Sequence, residues 1–256
     1  MRRRLARAGE EYLPRCRLDA LRQLLMFVVA YAGYEIVRGL VGLTGDKPFR
    51  DATRIIDFER TLHVFVEPNV QRWVMRNAHW LLDICDWTYL NAHFALTVGA
   101  LAFIYMRRND SFYFVRNMFM IAMLIALVGY SVFPTTPPWL MPRWGFTDSI
   151  RQFTGVAIGH GASGALLNVY AAVPSMHVCF ALIVGLPMSR LMRHRIVRVL
   201  WLLYPAFITF VVIATGNHYF TDVALGALTA GLSVFLAKQL LARARPDVWA
   251  FAGVAA

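Results

Sequence analysis

Six apolar stretches, each close to the length of a membrane-spanning helix, limit most strongly what this chain can fold into. They run near Leu21–Leu43, His79–Met106, Phe112–Phe133, Pro174–Arg190, Ile196–Ala214 and Phe220–Leu241. A helix needs about 20 residues to cross about 30 Å of hydrocarbon. A spanning segment must also satisfy its own backbone hydrogen bonds, which a helix does. We therefore predict an all-α, polytopic membrane protein with six transmembrane helices.

Composition agrees with membrane embedding. Of the 256 residues, 58% are apolar and 16% are charged, whereas soluble domains carry roughly 25% charged residues. One helical bundle is the simplest architecture, so we predict a single membrane-embedded domain over residues 1–256. The net charge is +11, but the arginines lie beside apolar spans, which indicates membrane topology and lipid headgroups rather than a nucleic-acid partner.

The distribution of basic residues predicts the orientation. The N-terminal segment, the second–third connection, the fourth–fifth connection and the C-terminal tail are all basic, and six spans place all four on one side. By the positive-inside rule, both termini are then cytoplasmic, as expected for a protein of the plasma (inner) membrane. The stretch Phe49–Trp73 alternates charged and apolar residues and suits an interfacial helix after the first span. Its basic residues weaken the bias without reversing it.

Three polar residues converge at the outer ends of predicted spans, where ionisable groups are functional candidates. His177 lies in Val173-Pro174-Ser175-Met176-His177, and His218 and Asp222 lie in one short segment. Four residues apart on a helix, His218 and Asp222 share a face. The carboxylate can then fix the imidazole tautomer and leave the other nitrogen as a nucleophile. His177 lies one turn into a helix whose first turn is expected to contain Pro174. It could protonate a leaving oxygen next to a phosphate held at the helix N-terminus.

Substrate contacts are expected from the outer loop and from the neighbours of these residues. The proline-rich run from Pro134 to Trp139 predicts a rigid, extended segment, which fits equally a structural loop or a wall that presents Arg143 to a phosphate. Arg151 is a poorer second choice. The predicted substrate-binding residues are Arg143, Pro137, Pro138, Ser175, Asn217 and Tyr219. The other histidines are interpreted as structural, with His160 a weak substrate contact: His63, His79, His93, His160 and His194.

These motifs resemble those of the type 2 phosphatidic acid phosphatase superfamily. Pro174-Ser175-Met176-His177 is similar to its second signature, and the His218–Asp222 spacing is similar to the core of its third. More narrowly, segments 168–177, 217–222, 134–138 and 145–148 resemble the inositol phosphorylceramide synthase branch, especially its bacterial members. The resemblance covers about residues 133–241. It implies six membrane helices, no metal or other cofactor, His218 as nucleophile, Asp222 as its orienting partner and His177 as acid.

The sequence departs from the phosphatase branch at its phosphate-binding cations. Val132 and Phe133 precede Pro134 where that branch carries lysine and arginine, and Val211 and Val212 stand in place of its serine and arginine. The synthase branch shares this departure, which favours transfer over hydrolysis. It leaves open which cation neutralises the phosphate, and Arg143 is the residue we expect.

The leading hypothesis is a membrane lipid phosphotransferase or phosphatase that acts through a phospho-histidine on a phosphorylated lipid of the outer leaflet. The acceptor is water or a hydroxyl, such as that of inositol or another lipid, and the sequence does not choose between them. One alternative is a plain lipid phosphatase that releases inorganic phosphate. Another is a metal-dependent hydrolase or hydroxylase with His177, His218 and Asp222 as ligands, although no His-Glu-x-x-His motif supports it. A third is a transporter, whose polar groups are expected deep in mid-span.

Overall fold

The computed structural model describes residues 17–40, 45–155 and 168–241. Within these ranges the regular structure is helical, apart from an isolated bridge between Thr135 and Ala171. The helices are α1 (Arg17–Leu40), α2 (Lys47–Thr61), α3 (Glu67–Asn77), α4 (His79–Arg107, with a π-helical turn at Thr88–Ala92), α5 (Asn109–Val132), α6 (Ser149–Thr154), α7 (Met176–Leu191), α8 (Arg195–Ala214) and α9 (Phe220–Leu236, continued by a π-helical turn to Leu241). The all-α prediction is confirmed.

Five of these helices are long and apolar enough to cross a membrane: α1, α4, α5, α8 and α9. The remaining predicted span, the fourth in chain order, is α7, an apolar helix of 16 residues. It begins at Met176, so the expectation that Pro174 lies in its first turn is wrong. Ser175 has extended backbone angles and takes the position that caps the helix. Its N–H donates to the carbonyl of Asp222 at 3.0 Å, which holds this residue in contact with α9 instead of inside α7.

The predicted interfacial segment forms two helices, α2 and α3, where the alternating pattern suggested one. The chain turns between them at His63, whose φ is +59°. Both helices are amphipathic, because each has one charged exposed face and one buried face. Ile55, Ile56 and Glu59 are buried on α2, and Glu67 and Val74 are buried on α3. α2 contacts α9, and α3 contacts α8.

α7 lies at the centre of the bundle and packs against α4, α5, α8 and α9. The contact with α9 is especially close at Gly226, because a Cβ there would overlap the carbonyl oxygen of Ser175. A second close approach joins α7 to α8, where a Cβ on Gly185 would lie 2.9 Å from the carbonyl oxygen of Trp201. Glycine is thus used where backbones touch, and it fixes the relative position of the helices that carry the candidate site.

Candidate active site

His218 lies in a tight turn that joins α8 to α9. Gly216 has a φ of +69°, a conformation that glycine adopts without strain. The N–H groups of Asn217 and His218 both donate to the carbonyl of Val212, at 2.9 and 3.2 Å. The turn is therefore closed by the last part of α8. It holds His218 two residues before the start of α9, and the residue is only 5% exposed.

Asp222 is the third residue of α9 and reaches back to this turn. Its Oδ2 accepts from the backbone N–H of Tyr219 at 3.0 Å and lies 3.2 Å from Nδ1 of His218. The pairing of His218 with Asp222 is confirmed, but His218 precedes the helix, so the two residues do not share a helix face. The contact depends on an N-terminal capping arrangement instead. With Nδ1–H donated to the carboxylate, Nε2 is left with a free lone pair.

His177 is the second residue of α7 and faces His218. The ring centroids of the two histidines are 5.8 Å apart. On its other side His177 stacks on Tyr89 at 4.3 Å and lies 5.1 Å from the ring of His93. His93 is in turn bonded to the hydroxyl of Tyr204 at 2.9 Å. The three predicted catalytic residues are therefore brought together, and aromatic contacts from α4 hold the orientation of His177.

The two histidines open on one cavity of about 150 Å³. Its wall comprises Arg38, Tyr89, Tyr130, Pro137, Trp139, Asn168, Val169, Ala171, Ala172, Met176, His177, Asn217 and His218. A second cavity, of about 360 Å³, runs deeper between α1, α4, α5 and α7. Arg38, Tyr89, Met176 and His177 line both, so the two cavities meet at these four residues. The polar part of the site thus borders a larger space lined by aromatic side chains, including Phe27, Phe94, Phe119 and Phe180.

The residues predicted to bind substrate fall into two groups. Pro137 and Asn217 line the cavity. The structure does not bring the other four to the cavity wall. Ser175 is fully buried and is bonded to α9 through its backbone. Pro138 is buried at the start of a 3₁₀ turn, and the ring of Tyr219 packs against Phe146. A role for any of the six in binding stays a prediction.

Arg143, the cation expected to meet the phosphate, lies apart from the histidines. Its guanidinium donates to the hydroxyl of Thr53 at 3.0 Å and sits over the ring of Trp144. It lines a different cavity, with Asp46, Phe49, Arg50 and Thr53. His160, the weaker candidate, lies outside the described residues.

Four further residues lie around the two histidines. From the sequence, Arg38 and Tyr89 are not singled out, Trp139 is placed only in the proline-rich run, and His93 is interpreted as structural. A signal existed for Arg38, because a charged residue near the outer end of an apolar span meets the same criterion that singled out the histidines. His93, an ionisable residue within a span, met that criterion too but was interpreted as structural. Tyr89 carries no such signal, since aromatic residues in a span are ordinary packing groups. Only the fold shows that α4 turns these two rings toward α7.

Two buried glutamates hold the N-terminus of α9. The N–H of Phe220 donates to Glu67 at 3.0 Å, and the N–H of Thr221 donates to Glu59 at 2.7 Å. Both side chains are almost fully buried. Burial, together with the neighbouring Glu67, raises the pKa of Glu59 from 4.5 to about 8. The interfacial helices α2 and α3 therefore supply the groups that satisfy the first free N–H groups of the helix carrying Asp222.

Metal ligation was one of the alternatives that the sequence left open. Across residues 17–40, 45–155 and 168–241, no group of three or more histidine, cysteine, aspartate or glutamate side chains is placed to hold a metal ion.

These features define an integral membrane protein with a buried histidine–aspartate pair and a second histidine on one cavity. The chain belongs to the PAP2 superfamily, whose family model matches residues 53–236. It is 30% identical over 122 residues to a protein named phosphoinositol dihydroceramide synthase from Bacteroides thetaiotaomicron. The match covers 43% of this chain and 40% of that relative. No solved structure matches. The predicted superfamily and the likeness to the synthase branch are confirmed.

Proposed function

We propose that this protein transfers a phosphoryl-linked group from a membrane lipid to an acceptor through a covalent intermediate on His218. The observation that supports this most directly is the 3.2 Å contact between Nδ1 of His218 and Asp222, on a cavity that His177 also lines. A neutral imidazole whose Nδ1–H is held by a carboxylate presents Nε2 as a nucleophile. The carboxylate also stabilises the cationic ring that forms on attack.

In the first step, Nε2 of His218 attacks the phosphorus of the lipid. The N–P bond forms as the bond from phosphorus to the leaving oxygen breaks, and that oxygen takes the electron pair. His177, in its protonated form, donates the proton that makes the leaving group a neutral alcohol. The product of this step is phospho-His218 with neutral His177, and Asp222 faces the substituted ring.

In the second step, the acceptor hydroxyl attacks the same phosphorus. Neutral His177 accepts the hydroxyl proton, the new O–P bond forms, and the N–P bond breaks with its electrons returning to His218. Both residues regain their starting protonation states. Hydrolysis and transfer differ only in the acceptor, which is water in one case and an alcohol in the other.

An inositol-phosphate type of headgroup is the transferred group that we favour. Two observations support this choice: the name of the Bacteroides relative, and the apolar residues Val211 and Val212 at positions where the phosphatase branch carries serine and arginine. The second candidate is a plain lipid phosphatase, which the same site chemistry would also support. We place the reaction at the outer leaflet of the plasma (inner) membrane. We also propose that residues 1–256 form a single membrane-embedded domain.

The test uses purified protein with a panel of phospholipids, including phosphatidylinositol and phosphatidic acid, with and without a lipid hydroxyl acceptor and in excess chelator. We expect product that requires His218 and tolerates chelator. Exchanged lipid would identify a transferase, and inorganic phosphate would identify a phosphatase. Equal turnover by His218→Ala would refute the mechanism, and loss of activity in chelator with recovery on adding metal would favour the metal-dependent alternative.

A further inference from the structure

Arg38 lies at the junction of the two cavities, near the C-terminal end of α1. It lines the smaller cavity with His177 and His218, and it lines the deeper cavity with aromatic residues of α4 and α5. The region matched by the family model begins at residue 53, so Arg38 comes from a helix outside that match. α1 packs against α5, and this contact brings its basic end to the histidines.

Neighbouring groups hold Arg38 in place without using all its donors. Its guanidinium forms an ion pair with Glu35 at 3.0 Å and lies 5.9 Å from the ring centroid of Tyr34. The hydroxyl of Tyr34 is bonded to that of Tyr130 at 3.0 Å, which fixes the ring beneath the arginine. The buried Nε of Arg38 has no hydrogen-bond partner among the described residues. An unpaired buried donor is costly, and a bound anion would satisfy it.

The charge of the cavity wall also supports anion binding by Arg38. Among the described residues that line the cavity of both histidines, Arg38 is the only lysine or arginine. The transferred phosphoryl group carries negative charge that increases on its oxygens during attack, and a cationic donor there lowers the barrier. The sequence lacks the cations that the phosphatase branch carries at the corresponding positions, and Arg143 lies in another cavity.

We propose that Arg38 binds the phosphate of the lipid substrate at this junction, with the lipid's apolar part in the deeper cavity. The planar guanidinium can donate two parallel hydrogen bonds to phosphate oxygens, which also orients the phosphorus toward His218. The deeper cavity has a volume of about 360 Å³, and its wall includes Phe27, Phe94, Phe119 and Phe180. It therefore offers apolar surroundings for a hydrocarbon chain of the lipid. This inference rests on the proposed function, because it assigns the phosphate ligand of the same reaction.

The test compares binding and turnover in Arg38→Gln, Arg38→Lys and Arg143→Gln. Arg22→Gln is the matched control, because Arg22 is an exposed arginine at the other end of the same helix. Binding is followed by the thermal stabilisation of the detergent-purified protein on titration with dioctanoyl phosphatidic acid and, separately, with inorganic phosphate. The first probe reports a lipid headgroup and the second reports free phosphate.

We expect Arg38→Gln to raise the half-saturating concentration of dioctanoyl phosphatidic acid about tenfold to a hundredfold, because a charge-assisted hydrogen bond to the phosphate is lost. Turnover should show a higher KM and a lower kcat. Arg38→Lys keeps the positive charge but loses the planar guanidinium that can donate two parallel hydrogen bonds. The affinity of this variant for the probe should therefore fall between those of the wild type and Arg38→Gln. Weaker binding of free phosphate in the same variants would show that Arg38 recognises the phosphate itself.

Several outcomes would overturn the proposal. Wild-type affinity in Arg38→Gln, or a loss confined to Arg143→Gln, would do so. If Arg38→Gln does not fold, wild-type affinity in Arg38→Lys would contradict the predicted pair of hydrogen bonds from the guanidinium to the phosphate. Binding without turnover of any lipid in the panel would refute the proposed function and leave Arg38 to be judged by affinity alone. A wild type that binds neither probe would overturn the assignment of Arg38 and leave the proposed function to be judged by turnover of the panel.

Discussion

At the scale of single residues, the Asp222 carboxylate connects the fold to the chemistry. One oxygen accepts the N–H of Tyr219 and also faces Nδ1 of His218. The same group therefore closes the start of α9 and selects the tautomer of the proposed nucleophile. A residue with both tasks can be probed by a substitution that keeps one and removes the other.

Asp222→Asn is that substitution. The amide oxygen can still accept the Tyr219 N–H, but asparagine is neutral and cannot stabilise the cationic ring that forms on attack. We expect kcat to fall by up to about 10⁴-fold, the loss seen when the carboxylate that orients a catalytic histidine is replaced by its amide. Kinetics on the lipid that the wild type accepts provide the measurement, and an unchanged thermal unfolding midpoint shows that the cap is kept. Activity within twofold of the wild type would contradict the assigned role.

At the scale of elements, the interfacial helices support α9 through the buried Glu59. Its raised pKa means that the folded protein holds a proton that the unfolded chain releases near 4.5. The contribution of Glu59 to stability is therefore complete below about pH 4.5 and is lost as the pH rises through about 8. We expect the thermal unfolding midpoint to fall between pH 5 and pH 9, and Glu59→Gln to flatten part of that fall. A slope that is the same in both proteins would refute this assignment.

The contact between α7 and α9 gives a second prediction at this scale. Gly226→Ala would push a methyl group into the carbonyl oxygen of Ser175, whose N–H is bonded to the carbonyl of Asp222. Separating the helices would displace His177 from His218, so we expect a lower unfolding midpoint and at least about a tenfold loss of kcat. Gly231→Ala is the matched control on the same helix, because nothing lies within 4 Å of its Cβ position. Equal effects of the two substitutions would contradict the role of the close contact.

At the scale of the whole molecule, the predicted orientation can be tested by cysteine labelling. Cys85 and Cys179 are buried, so Cys16→Ser gives a background of low reactivity. Asp57→Cys and His194→Cys add exposed thiols on α2 and in the connection between α7 and α8. With both termini cytoplasmic, an impermeant maleimide added to intact cells should label Asp57→Cys and spare His194→Cys. The reverse pattern would place the site on the cytoplasmic face.

The sequence predicted the helical bundle because length and apolarity alone determine which segments can span. It also predicted which candidate catalytic residues would meet, since His177, His218 and Asp222 stand out against apolar surroundings. It did not predict how they meet. The capping of α9 by Glu59 and Glu67 joins residues more than 150 positions apart, and the approach of Arg38 depends on how α1 packs. Such long-range contacts follow from tertiary packing, which periodicity and motif spacing do not describe.

The central claim is that the reaction passes through a phosphoryl group on His218. Protein incubated briefly with a lipid radiolabelled in its phosphate, then quenched in alkali, tests this directly, because a phosphorus–nitrogen bond to histidine survives alkali and breaks in acid. The account predicts an alkali-stable, acid-labile label in the wild type that maps to the peptide containing His218 and is absent from His218→Ala. Label of equal amount in His218→Ala, or turnover by the wild type with no labelled protein at any time, would contradict it.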